Sequence, residues 1–238
     1  MPPLFPRRVP VLASLVLAAS LAPPAHAQSS CSSDGQARPV ALVERFINAD
    51  CRDCWIDAST ARARRGEVAL DWVLPGSQGE DAPLSAVASR DGLKRLEALG
   101  LAPQAGSSSQ TTAVAVQGRL RVAHGLPVSG YIGASVELKR LPPAGTPAPW
   151  TVWLALVETI PAGTEGSPVP RNLVRNLLQP LWDGRKQLSK DERPSWLESR
   201  SMDIPAGTDP SRLRVVGWVQ DAGGRVFAAA QSRCVPPR

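Results

Sequence analysis

Four cysteines constrain this chain more than any other feature: Cys31, Cys51, Cys54 and Cys234. Two form a close pair, Cys51-Arg52-Asp53-Cys54, and the other two stand towards opposite ends of the chain. Whether they act as thiols, metal ligands or disulfides depends on the compartment, which the N-terminal residues address. Arg7 and Arg8 precede an apolar stretch from Val9 to Leu21, and Ala25-His26-Ala27 has the small-x-small pattern of a cleavage site. The stretch is shorter than the roughly 20 apolar residues of a membrane span. Residues 1–27 are therefore expected to be a signal peptide, with no membrane span after cleavage and a periplasmic or secreted mature protein.

In an oxidising compartment an even number of cysteines implies disulfides. Termini of compact chains often lie close together. That pairs Cys31 with Cys234 as a structural clip, stabilising by about 2–4 kcal/mol, and Cys51 with Cys54. A four-cysteine zinc site would need a second close pair and reduced thiols, so no metal or cofactor is expected. The chain has two histidines, and cleavage leaves His124 alone. This excludes a multi-histidine metal site, and no G-x-S-x-G elbow supplies a hydrolase nucleophile. His124 is expected to be a structural or solvent-facing residue.

The formal net charge is +6. Losing Arg7 and Arg8 leaves 25 basic against 21 acidic side chains, a balance of +4. The basic residues are scattered, with no stripe or aromatic RNA-type motif, so nucleic acid is excluded as a partner. No glycine-rich phosphate loop is present. An envelope protein or a thiol partner is the expected class.

Along the chain, residues 28–38 are a polar, flexible lead. Val40 to Ile47 is an apolar strand. Asp50 then caps a helix from Cys51 to Arg65, with Cys51, Cys54, Trp55 and Ala58 on one face and Gly66 as the stop. Glu67 to Leu74 is a second strand, ended by Pro75-Gly76. A helix carrying Leu84, Val87, Leu93, Leu96 and Leu99 ends at Gly100, and Thr111 to Val122 forms two short strands joined at Gln117-Gly118. This order describes a thioredoxin-like α/β domain over 39–125. After a turn-rich linker, Gly125 to Gly133, come strands at Ala134–Leu141, Thr151–Ile160, Arg212–Gln220 and Arg225–Ala230. Arg171–Leu178 is a strand or short helix, and 183–200 is a charged loop. Residues 126–238 are thus expected to be a mainly antiparallel β-sandwich domain. Seven tryptophans are expected to fill the core.

Val43-Glu44-Arg45-Phe46 followed by Cys51-x-x-Cys54 resembles the opening of a secreted, thioredoxin-like family of unknown function, related to outer-membrane-protein families. Ala155-Leu156-Val157-Glu158, Arg171-Asn172-Leu173-Val174-Arg175 and Val215-Val216-Gly217-Trp218-Val219-Gln220-Asp221 resemble its later strands. The resemblance implies a thioredoxin-like half and a β-sandwich half over about 39–234. It also implies a redox pair, Cys51 and Cys54, faced by a cis-proline position that Thr112 occupies here. Trp55 and Ile56 replace the family's prolines after the second cysteine.

Thiol–disulfide exchange requires a thiolate, favoured by nearby cations and opposed by carboxylates. Cys51 is the attacking residue and Cys54 the resolving one; Arg52 favours the thiolate, while Asp50 and Asp53 oppose it. The sequence leaves two functions open: disulfide exchange or redox sensing through Cys51 and Cys54, or a non-catalytic envelope binding protein in which that pair is a static staple.

Overall fold

The structure, a computed structural model, describes residues 31–115, 118–140, 149–180 and 196–234. The expected signal peptide, the first residues of the expected lead, Gln117, Trp182 and the charged segment from 183 to 195 lie outside the described residues.

Among the described residues, twelve strands and two α-helices follow in chain order. The first half holds β1 (Cys31–Ser32), β2 (Ala41–Asn48), α1 (Arg52–Ile56), β3 (Glu67–Leu74), α2 (Asp91–Ala98), β4 (Ser107–Ala113) and β5 (Arg119–Val128). Then come β6 (Tyr131–Arg140), β7 (Thr151–Ile160), β8 (Arg171–Leu178), β9 (Trp196–Asp203), β10 (Leu213–Gln220), β11 (Val226–Gln231) and β12 (Arg233–Cys234). They form a five-stranded sheet, β12-β1-β5-β6-β9, and a seven-stranded sheet, β11-β10-β7-β8-β3-β2-β4.

This overturns the expected α/β thioredoxin-like domain followed by a β-sandwich domain, and with it the family resemblance. The fold is mainly β, and strands from before and after residue 125 share both sheets. A thioredoxin-type layer needs helices over both faces of its sheet. Here α2 covers one face of the seven-stranded sheet, and the five-stranded sheet covers much of the other.

Period-two alternation explains the layering. In β7, Val152, Leu154 and Leu156 face the five-stranded sheet and meet Leu120, Val122, Ile132 and Val136. Trp153, Ala155 and Val157 face the other way, with Leu42, Phe46, Leu70, Trp72 and α2 residue Leu96. Strands buried on both faces are apolar almost throughout, which is why β3 and β7 keep the bounds expected from the sequence. Trp153 and Trp218 are register partners in β7 and β10 and stack at 5.8 Å, while Phe46 and Trp72 stack at 6.2 Å. Gly217 lets the sheets close: a Cβ there would stand 2.6 Å from Val122 Cγ1.

Several local expectations change. Gly125–Gly133 is not a linker, because β5 and β6 run through it as a hairpin turning at Ser129 and Gly130, both at positive φ. The helix expected from Leu84 begins only at Asp91, although Gly100 ends it at φ +67°. Arg171–Leu178 is a strand, and Trp196–Arg200, expected in a loop, belongs to β9. Cys31–Asp34 is tied down rather than loose, with Ser33 N donating to Val122 O and Arg121 paired to Asp34.

Candidate redox site

The Cys51–Cys54 disulfide sits where β2 leaves the seven-stranded sheet and α1 begins. Its Cα atoms are 5.3 Å apart, and both residues are half-buried. Cys51 caps α1, and the Cys54 amide donates to Cys51 Sγ at 3.2 Å. The helix stops at Ile56 instead of continuing to Arg65. Asp57 is extended, and its carboxylate accepts from the Ser59 amide and hydroxyl, a local turn that competes with helix.

Arg171 of β8 holds the end of α1. Its Nη2 donates to Trp55 O at 2.7 Å and Cys54 O at 3.3 Å, its Nε donates to Ser167 Oγ at 2.9 Å, and its guanidinium lies 5.1 Å from the Trp55 ring centroid. Trp55 Nε1 in turn donates to Glu165 O at 2.8 Å, which seats the β7–β8 loop on the helix.

Arg171 is anchored by Asp71, a fully buried carboxylate in β3. Asp71 also accepts from the Asn172 amide at 2.6 Å and forms a short ion pair with Arg45 of β2. Arg45 reaches on to Ala61 O at 3.0 Å. Burial pulls the Arg171 guanidinium below its ordinary range, and Asp71 pushes it back. The β3–β8 pairing has a single registered partner pair, Asp71 with Leu173. The side chain of Asp71 therefore staples the seam where the sheet's two groups of strands meet.

Asp50 does not face the cysteine pair as an unengaged carboxylate. It accepts from the Ser77 amide and hydroxyl and from the Gln78 amide, and the Ser77 hydroxyl does most to hold its carboxyl below the usual range. These bonds stabilise the charged form, so Asp50 keeps its opposition to a Cys51 thiolate. Arg52, Trp55, Ile56, Pro83, Leu84 and Glu165 line a shallow groove beside the helix.

Thr112 is not brought to the disulfide. It pairs with Leu42 in β2, six residues before the Asn48 end that leads to Cys51, a strand distance of roughly 20 Å. Gly106, before β4, approaches instead: a Cβ there would meet Cys54 Sγ at 3.8 Å. The expected role of Thr112 opposite the pair therefore falls with the family resemblance.

The clip expected between the chain ends is present. Cys31 and Cys234 are bonded, with Cα atoms 3.9 Å apart across β1 and β12. His124 does not face solvent. It lies buried in β5 opposite Cys31, where burial pushes its imidazole pKa down. Cys31, Cys234 and His124 form the group of metal-capable side chains that comes together among the described residues.

Sequence reasoning missed the partner of Glu44. Both are fully buried: Arg95 of α2 grips Glu44 through Nε and Nη2 at 2.7 and 2.6 Å and reaches Gln220 at 2.7 Å. Its guanidinium lies 5.2 and 5.1 Å from Trp153 and Trp218. The available signal was Glu44 inside an apolar strand, since a buried charge demands an opposite one. Nothing in the sequence identified which arginine answers it.

No protein-family model matches this chain, and no curated protein matches it. Among solved structures it is similar to HBP35 of Porphyromonas gingivalis at 11% sequence identity, with 83% of this chain and 76% of that chain covered. The TM-score is 0.47, at which the likeness assigns neither fold family nor function.

Proposed function

We propose that this is an extracytoplasmic β-sheet protein whose Cys51–Cys54 pair exchanges disulfides with a thiol partner. The observation that carries this reading is the Cys54 amide aimed at Cys51 Sγ in a half-exposed pair. In the reduced state that donor favours a thiolate on Cys51. The thiolate attacks a partner disulfide, forms a mixed disulfide and releases the partner's other sulfur as thiolate. Cys54, deprotonated, then attacks Cys51 Sγ, reforms the internal bond and frees the reduced partner. Two disulfides and a leader-like N-terminus support the location.

The test uses a mature Cys54→Ser variant incubated with oxidised glutathione. Cys51 is expected to take up one glutathione in the folded protein, whereas reduced wild type closes its own disulfide and retains none. A folded Cys54→Ser chain whose Cys51 resists glutathione while the unfolded chain reacts contradicts the reading.

A second reading, a non-catalytic binding protein, is favoured by one observation. Leu126, Val128 and Tyr131, at the tip of the β5–β6 hairpin, are 72%, 68% and 54% exposed. Isolated exposed apolar residues are ordinary, but three together on one hairpin suit an interaction surface.

A further inference from the structure

In the five-stranded sheet, strand register places three ligating residues side by side. Cys31 stands opposite Cys234 on one flank and opposite His124 on the other. The two sulfurs and a ring nitrogen of His124 lie within 4.8 Å of one another. His124 is 4% exposed, and its Nδ1 sits 2.9 Å from Gly125 O. A carbonyl only accepts, so Nδ1 carries the proton and Nε2 holds the lone pair. Nε2 is buried with no hydrogen-bond partner. A histidine oriented by an Nδ1–H to carbonyl bond, with a bare Nε2, has the arrangement seen when imidazole ligates a metal.

We propose that Cys31, Cys234 and His124 form a redox-gated site for a divalent metal ion of the zinc class. The site is closed while the disulfide stands and opens when a dithiol reductant cleaves it. The dithiol gives two electrons and two protons to the Cys31–Cys234 bond and becomes a disulfide itself. The ion then displaces one proton from each thiol, and Nε2 gives its lone pair without proton loss. Two thiolates and an imidazole suit zinc, which accepts sulfur and nitrogen donors tetrahedrally. The sulfurs must part to roughly 3.8 Å, the spacing that two Zn–S bonds of about 2.3 Å impose at the tetrahedral angle. β12 is a two-residue strand at the sheet edge, so it has few pairings to resist that movement. Cys234 is exposed and leaves the fourth position open to water.

The experiment uses the mature chain with Cys51→Ser and Cys54→Ser, so that one pair of thiols remains. Reduced protein, freed of reductant without air, is titrated with Co(II) and then with Zn(II). One Co(II) per chain is expected, with thiolate-to-cobalt charge-transfer absorption, loss on adding Zn(II), and no uptake by the oxidised protein. His124→Gln, with its fold confirmed in the oxidised form, should weaken binding at least about tenfold, as loss of a ligand exceeds the 10–100-fold cost of losing an outer-shell partner. Absence of saturable binding, or the same affinity and spectrum in His124→Gln, overturns the proposal. Should the reduced variant unfold, wild type is reduced with and without Zn(II) and its alkylated peptides are mapped. Zn(II) should shield Cys31 and Cys234, and shielding that is absent or unaffected by His124→Gln overturns the proposal equally.

Discussion

Arg171 donates to the carbonyl of Trp55 at 2.7 Å, and through this bond strand β8 holds the helix that begins at the Cys51–Cys54 disulfide. The same guanidinium is paired with buried Asp71. Position of the cysteine pair and integrity of the β3–β8 seam are therefore coupled through one side chain.

Arg171→Lys tests that coupling. Lysine keeps the charge beside Asp71 but cannot reach the Trp55 and Cys54 carbonyls with a planar fork as well. The chain should still fold, with Cys51–Cys54 reduced by dithiothreitol several-fold faster than in wild type. Rates come from timed alkylation and peptide mass, with Cys31–Cys234 in the same sample as the internal reference. Equal rates in the two proteins would sever α1 from this account.

Arg95→Met should cost about 3–5 kcal/mol, the usual penalty for leaving a buried charge without its partner. Glu44 would then remain in the apolar layer between α2 and the sheet. The double change Glu44→Gln with Arg95→Met should recover much of that loss, because no charge is stranded. Urea denaturation of wild type, Arg95→Met, Glu44→Gln and the double variant gives the interaction energy, and additive losses would contradict the pairing.

Gly217→Ala should destabilise by about 1–3 kcal/mol by overpacking. Its Cβ would press on Val122 Cγ1 across the two sheets. Val122→Ala placed with it should relieve part of the strain, so the double variant should lose less than the two single losses added together. Thermal melts of the four proteins decide this.

Asp50 makes stability depend on acid. Its folded pKa lies below the ordinary 3.8, chiefly because the Ser77 hydroxyl binds the charged form. Such a group contributes stability that is present above the unfolded pKa and lost as pH falls through the folded one. Wild type should therefore lose stability more steeply than Asp50→Asn once pH falls below about 5. Melts taken at falling pH measure the slope, and parallel slopes would mean that Asp50 gains nothing from the 77–78 turn.

Local pattern was legible where one physical rule dominates. β3 and β7 are continuous apolar runs bounded by turn residues, and both follow the sequence reading. The two cysteine pairings follow from compartment and spacing. Strand order was not legible, because β3 finds β8 about a hundred residues later through buried Asp71 and Arg171 rather than through any local signal. The thioredoxin-like reading failed for the same reason. A strand followed by C-x-x-C and a helix start describes only the chain from Val40 to Ile56, and says nothing of what covers the sheet. The helix to Arg65 rests on an apolar face, an Asp50 cap and a Gly66 stop, while the Asp57–Ser59 turn ends it at Ile56. At the site, Cys51 and Cys54 were found from the sequence, whereas Arg171, Asp71 and Gly106 reach the pair only through the tertiary fold.

The reduction potential of the Cys51–Cys54 pair tests the proposed exchange most directly. The chain from residue 28 onward is equilibrated in graded glutathione buffers, quenched and alkylated, and the two disulfides are read separately by peptide mass. A value between roughly −120 and −270 mV, the span of disulfide oxidoreductases, is predicted. A value below about −300 mV, where structural disulfides lie, would make the pair a static staple and contradict the exchange reading.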